Sequence, residues 1–240
     1  MRKPKSVNKI TRANGILCVF LFVLLNFFGG YADDFKNSRT PIVLEIIERV
    51  GIKSDDHLII VICKKNHIPL TAIYQWNNHL AIYGFLDKPD ALKKQIADQY
   101  PGCMIKVYDH PFYNFNRKER CGKEKLAKEW DNVLLTADLV KNTKLQKEYL
   151  HYHATQFEKW PEVSQGFCNA GFQQLLVFKN GRQLMLVISI PKGESLDKLN
   201  SKTTKNNPKT VQWNDLMKKY QEGIPGTKAR EVWVFLKPLI

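Results

Sequence analysis

The stretch QQLLVFKNGRQLMLVISI, Gln173 to Ile190, decides the fold. Two runs rich in Leu, Val, Ile and Phe flank Gly181, so the stretch reads as a β-hairpin. Ahead of it, NVLLTADLV, 132–140, reads as a strand. TKLQKEYLHYHATQFEKWPEVSQGF, 143–167, reads as a long helical stretch. After the hairpin, SLDKLN, 195–200, opens a helical region that VQWNDLMKKYQEG, 211–223, continues. AREVWVFLKPL, 229–239, closes as a strand. The order is β-α-β-β-α-β, the ferredoxin-like split βαβ unit. Such a sheet buries one face under two helices and leaves the other face needing cover.

A second, earlier unit offers that cover. IVLEIIERV, Ile42 to Val50, carries apolar residues at helical spacing before Gly51 and reads as a helix. HLIIVICKK, 57–65, is a continuous apolar run of strand length. LTAIYQW, 70–76, and HLAIYGFL, 79–86, flank Asn77-Asn78 as another hairpin. DALKKQIADQY, 90–100, reads as a helix stopped by Pro101-Gly102, and CMIKVYDHPFYNF, 103–115, as a strand. Hydrophobic class repeats between the units at an offset of 104, with Ile73-Tyr74 matching Val177-Phe178 and Leu80-Ala81-Ile82 matching Leu184-Met185-Leu186. Between Lys65 and Leu70 there is no room for a helix, so this unit is degenerate. The expectation is an α+β chain of two fused ferredoxin-like units, 42–115 and 132–240, joined by a basic linker, 116–131. They form a dimeric α/β-barrel-like pseudo-dimer in one chain. Oligomeric state stays open between a monomeric pseudo-dimer and a homodimer.

The N-terminus reads as an address. Met1 to Gly15 holds five cations and no acid, ILCVFLFVLLNFF follows, and Gly30-Tyr31-Ala32 offers small residues at a cut before Asp33. This is the grammar of a secretory signal peptide over 1–32, with a polar linker over 33–41. The expected location is secreted or periplasmic, with no membrane association beyond export. Losing 1–32 lowers the formal charge from +14 to +9, because it removes five of the 37 cations and none of the 23 acids. The remaining Lys and Arg alternate with acids and amides as on a solvated helical face. There is no basic stripe with stacking aromatics, so nucleic acid is not an expected partner. Four cysteines remain, Cys63, Cys103, Cys121 and Cys168. In an oxidising compartment they allow three pairings, of which Cys103–Cys121 is the one to test. Cys63 reads as a buried thiol in an apolar strand.

The second unit resembles the L-rhamnose mutarotase family. The resemblance rests on Glu148-Tyr149-x-x-x-His153, then Trp160-Pro161-Glu162-Val163, then the hairpin, Trp213-Asn214-Asp215-Leu216-Met217 and Glu231-Val232-Trp233-Val234-Phe235. It covers roughly 132–237. It implies interconversion of α and β anomers of a 6-deoxyhexose, with His153 as proton donor. Tyr149 and an aromatic pair falling at Trp213-Asn214 would bind the sugar, and a second tyrosine of the family pattern falls at or near Gln174. Three departures stand out. Six residues separate His153 from Trp160 where the family usually has three, the pair's second member is Asn214, and the second tyrosine is an amide. The family is usually cytoplasmic, whereas this chain reads as exported.

The residues support such chemistry on their own terms. Mutarotation needs no cofactor, because two positioned groups that trade protons near neutral pH suffice, and histidine is the natural one. Tyr149 and His153 are i and i+4 and share a helical face. Trp160, Trp213 and Gln174 could supply an apolar wall and amide contacts for the C–H faces of a deoxy sugar. The plain alternative is a packed amphipathic stripe, since Trp213, Leu216, Met217 and Tyr220 lie at helical spacing. His151 lies on another face and reads as solvent-facing. His57 reads as loop, and His79 and His110 as strand residues without a carboxylate partner at a motif spacing. No metal is expected, because His151-x-His153 is a poor chelate without a third ligand. No GxSxG, P-loop or GxGxxG is present. The reading is an exported aldose mutarotase acting on a monosaccharide. The alternatives are a non-catalytic sugar-binding module of a glycan-utilisation system and a dimeric-barrel oxygenase or haem-handling protein.

Overall fold

The computed structural model describes residues 40–49, 56–122 and 126–239. The signal peptide, most of the 33–41 linker and the cap at Gly51 lie outside the described residues. Thr40–Ile240 form one compact unit. The N-terminal half runs β1 (Ile42–Ile47), α1 (Asp56–Lys65), β2 (Ile73–Trp76), β3 (His79–Gly84), α2 (Pro89–Gln99), β4 (Met104–Tyr108), β5 (Pro111–Asn116) and the short α3 (Arg117–Arg120). The C-terminal half runs β6 (Trp130–Leu139), α4 (Thr143–Ala154), α5 (Gln156–Lys159), α6 (Pro161–Ala170), β7 (Gln174–Asn180), β8 (Gln183–Pro191), α7 (Leu196–Thr204), α8 (Pro208–Lys218), β9 (Gln221–Glu222) and β10 (Val234–Pro238). Among the described residues no helix is long and apolar enough to cross a membrane.

The first two elements exchange the types expected of them. Ile42–Ile47 is a strand because it is buried on both sides between β3 and β4, so apolar residues crowd every position and imitate helical spacing. Asp56–Lys65 is a helix. It buries Ile59, Ile62 and Cys63 along one face, with Asp56 in the first turn and Lys64-Lys65 in the last to suit the helix dipole. His57 is therefore helical, not loop. The helix that seemed to lack room between the first two strands is α1, placed after β1.

The strands form one antiparallel, barrel-like sheet in the order β4-β1-β3-β2-β10-β6-β8-β7-β5, with β9 on β6. Leaving aside β5 at the edge and β9, each half contributes four strands in the order fourth, first, third, second. The hairpins repeat in register at the offset of 104: Tyr74 pairs with Ala81 as Phe178 pairs with Met185. The run 104–116 pairs first with β1 and then, past Asp109-His110, with β7. β10 likewise pairs with β6 and then with β2. His110 thus sits between strands, beside Asp109 at 3.1 Å, rather than within one.

Alternation along the strands sorts side chains into three layers. Leu44, Ile46, Leu80 and Ile82 pack outward with α1 and α2. Leu135, Val177, Leu184 and Ile188 pack outward with α4, α6 and α8. Between the halves lie Val43, Tyr74, Tyr83, Leu176, Phe178, Met185, Val187 and Leu236. Each fully buried apolar side chain contributes roughly 1.5–3 kcal/mol. At Gly166 in α6, a β-carbon would stand 2.6 Å from the Thr203 carbonyl, so only glycine lets α7 approach this closely.

The inner layer also holds a polar hub. Glu45 is fully buried. Its Oε1 accepts hydrogen bonds from His79 Nδ1 (2.8 Å) and Gln183 Nε2 (2.9 Å), and its Oε2 accepts from the Tyr108 hydroxyl (2.8 Å). Gln183 also donates to Thr136 and accepts from Lys106. His79 therefore has a carboxylate partner, 34 residues away in sequence and one strand away in space. A disulfide joins Cys121 to Cys168, leaving Cys63 and Cys103 as thiols. The Cys103–Cys121 expectation fails because β5 carries the chain from β4 across to β7, setting α3 beside α6. Cys63 is buried as expected, but in a helix, and burial pushes its thiol up to about 11.

The hub predicts that Glu45→Ala, which strands three buried partners, destabilises the chain by about 3–5 kcal/mol. A urea midpoint within error of wild type would show that the two halves do not depend on this carboxylate.

Candidate functional site

Helix α4 builds the centre. Its first turn is capped by Asn142, whose side chain accepts from the amides of Lys144 and Leu145. One turn apart on its inner face stand Tyr149 and His153, their ring centroids 4.3 Å apart and their exposures 1% and 8%. His153 Nδ1 lies 3.0 Å from the Tyr149 carbonyl oxygen. A carbonyl only accepts, so this geometry assigns the ring proton to Nδ1 and leaves the lone pair on Nε2 of the neutral imidazole. Burial pushes the His153 pKa down to about 4, only partly offset by that bond to the Tyr149 carbonyl. His151, by contrast, is exposed.

Aromatic rings wall the imidazole. Trp213 from α8 and Tyr113 from β5 each stand 5.3 Å away, and Phe112 stands 5.7 Å away. The Tyr149 hydroxyl accepts from Gln221 Nε2 at 3.1 Å, and Gln221 Oε1 accepts from Trp233 Nε1 at 3.1 Å. The Tyr113 hydroxyl donates to Gln156 Oε1 at 2.7 Å, and Gln156 Nε2 donates to the Trp160 carbonyl at 2.6 Å. Burial raises the pKa of both tyrosines. They remain protonated hydroxyls at any physiological pH. The Trp160 ring lies 5.6 Å from Trp213 and reaches the imidazole only through it.

The structure thus brings His153, Tyr149, Trp213 and Trp160 together. It does not bring Gln174 or Asn214 to them. Gln174 shares the parity of Leu176 and Phe178, which face the inner layer, and so points away from α4. Asn214 follows Trp213 on α8 and is exposed. Sequence reasoning missed Phe112, Tyr113, Gln156, Gln221 and Trp233. Phe112 and Tyr113 belong to the N-terminal half and reach the site only because β5 pairs with β7. Gln156 had a signal: the long spacing between His153 and Trp160 accommodates the added turn, α5, whose first residue holds Tyr113. Glu148 takes a bond from the Tyr220 hydroxyl at 3.3 Å, and Glu162 is exposed. Among the described residues no group of three or more His, Cys, Asp or Glu is arranged to hold a metal ion.

A histidine kept neutral by burial leaves a mark on stability. The folded state takes up the proton near pH 4 and the unfolded state near 6.5. Below 6.5 the unfolded chain therefore binds more protons, and stability falls as pH falls. The loss attributable to His153 reaches about 3 kcal/mol by pH 4 and is absent above pH 7. Urea unfolding from pH 7 to 4.5 should show a shallower decline in His153→Phe than in wild type; parallel declines would place the histidine's pKa in the ordinary range.

Comparison with known proteins follows the same region. The L-rhamnose mutarotase family model matches residues 119–239, from α3 through β10. An L-fucose mutarotase of Xanthomonas campestris pv. campestris is 30% identical over 98 residues, 40% of this chain and 75% of that protein. A UPF0734 protein of Dictyostelium discoideum is 30% identical over 100 residues, 40% of this chain and 77% of that protein. Among solved structures, a heme-degrading enzyme from Listeria monocytogenes is similar at a TM-score of 0.40 and 11% identity, over 83% of this chain and 100% of that one. The family match spans half of the chain and contains the whole α4–α8 face on which His153 sits: this chain belongs to the L-rhamnose mutarotase family.

Proposed function

We propose that this protein is an exported aldose mutarotase that interconverts the α and β anomers of L-rhamnose or a related deoxy sugar. The observation that carries the reading is His153, a neutral imidazole with a bare Nε2, walled by aromatic rings inside the region matched by the family. A neutral imidazole with its lone pair on Nε2 suits the accepting role rather than the donor role that the resemblance implies: in ring opening, Nε2 takes the proton of the anomeric hydroxyl while a neighbouring hydroxyl protonates the ring oxygen, and the C1–O5 bond breaks. The open aldehyde rotates about C1–C2 and closes on its other face, with the protons returned. Of the two hydroxyls whose rings adjoin His153, that of Tyr149 only accepts, from Gln221, and keeps its proton to give, whereas that of Tyr113 already donates to Gln156. The rings of Trp213 and Trp160 suit the methyl and C–H faces of a deoxy sugar. With Gln174 and Asn214 outside the site, sugar preference rests on this aromatic wall.

Two further parts of the reading have their own support. The repeated fourth-first-third-second strand order supports an intramolecular pseudo-dimer of ferredoxin-like units, one carrying the chemistry. The Cys121–Cys168 disulfide supports an oxidising compartment and so export. One observation favours a second reading, a sugar-binding module without catalysis: Tyr149 is wholly buried, its hydroxyl already bonded to Gln221.

Saturation-transfer NMR of the anomeric protons of L-rhamnose, L-fucose, galactose and glucose separates the two. A mutarotase shows protein-dependent exchange that falls about 100-fold in His153→Ala and less in Tyr149→Phe. Exchange unchanged by either substitution ends the assignment to His153, and binding without exchange establishes the module.

A further inference from the structure

Two cavities open where β2 and β6 begin and β3, β8 and β10 end, apart from the His153 centre. One, of about 630 Å³, lies between the connection from α1 to β2 and the end of β3. The other, of about 900 Å³, lies in a fork of the sheet. The fork forms because β10 pairs with β6 only through Val234–Leu236 and then leaves it to pair with β2 through Lys237-Pro238. Thr71, Tyr74 and Asn132 line both cavities, so the two adjoin.

Their walls carry an unusual set of side chains. Phe85 in the first cavity and Trp130 and Phe235 in the second are 63%, 41% and 45% exposed. Trp130 and Phe235 line one concavity and Phe85 the one adjoining it, an exposed apolar grouping of the kind found in ligand-binding grooves. Trp130 is not loose: its Nε1 donates to the Ala127 carbonyl at 3.0 Å, which fixes the indole. Beside it, Asp131 accepts from the Gly193 amide at 2.7 Å, and Asn132 Oδ1 accepts from Ser189 at 2.7 Å. Both groups are held in place with hydrogen-bonding capacity to spare, the second carboxylate oxygen of Asp131 and the amide nitrogen of Asn132. Glu129 pairs with Lys192 at 2.5 Å and Glu194 with Lys198 at 3.2 Å, and the remaining charges on the second cavity, Asp131 and Lys237, are of opposite sign. One fixed indole and two further aromatic rings beside a planar carboxylate and amide match a polyhydroxylated ligand with C–H faces. The adjoining volumes exceed one hexose.

We propose that these cavities form an oligosaccharide-binding cleft separate from the His153 centre. The proposal stands on the cleft's own residues and not on mutarotase chemistry. The chain would grip a glycan at the fork while monosaccharide units are handled elsewhere in the same molecule.

Titration calorimetry and ligand-observed saturation-transfer difference NMR on the full chain test this with xylotriose, cellotriose, maltotriose and L-rhamnotriose. At least one trisaccharide binds. Trp130→Ala and Phe235→Ala each weaken it about tenfold, Trp130→Phe keeps most of the affinity, and His153→Ala leaves it unchanged. Anomer exchange of monosaccharides, measured on the same variants, stays at wild-type rate in Trp130→Ala. The proposal is overturned if none of the four binds, if both alanine variants bind as wild type does, or if His153→Ala weakens binding as much as Trp130→Ala. Monosaccharide exchange fails or survives independently, so loss of one reading is not mistaken for loss of the other.

Discussion

The last strand of each half of the sheet crosses to the other half. β10 starts on β6 and ends on β2, and the run through β4 and β5 starts on β1 and ends on β7. Everything else depends on these crossings. They press the two inner faces together and bury a layer that neither half could cover alone. They also enclose Glu45, a carboxylate whose burial is tolerable only because partners from both halves bond to it. The same crossing forks the sheet at β10 and delivers β5 to the edge of the α4 site.

That delivery gives the N-terminal half a part in the surroundings of His153. Phe112 and Tyr113 close one side of the box around His153, and Tyr113 is pinned by a residue of the added turn after α4. The box does two things at once. It removes water, which keeps His153 neutral, and it sets aromatic rings around the imidazole. The Nδ1 bond to the Tyr149 carbonyl then settles which nitrogen keeps its lone pair. Burial and one backbone contact thus fix the charge state and the tautomer of a lone histidine on a helix.

Much of this was legible in the residues, and the failures have physical causes. The hairpins at 73–84 and 174–191 were plain, because β-rich runs around a turn leave little choice of structure. Residues 42–47 and 56–65 were read the wrong way round, since a strand buried on both faces and a short apolar helix present nearly the same run of side chains. The deciding signs were the charges at the ends of the second run. Tyr149 and His153 were found from i, i+4 spacing and the family's motif, both local. Gln174 and Asn214 stand away from these rings, Gln174 because alternation along β7 turns it to the inner layer and Asn214 because it lies on the exposed side of α8 next to Trp213. Tyr113, Gln221, the Glu45–His79 pair and Cys121–Cys168 join residues distant in sequence. Only the sheet order brings them together, and no local pattern encodes it.

The account turns on a neutral His153 acting as the proton-accepting group on a sugar. The most direct test is the pH dependence of protein-catalysed anomer exchange for L-rhamnose and L-fucose, followed by saturation-transfer NMR from pH 3.5 to 8. A histidine held at a pKa of about 4 by burial predicts a rate that is flat at neutral pH and falls only as the solution approaches pH 4. A midpoint near the ordinary histidine value, or no catalysis of either sugar at any pH, would contradict it.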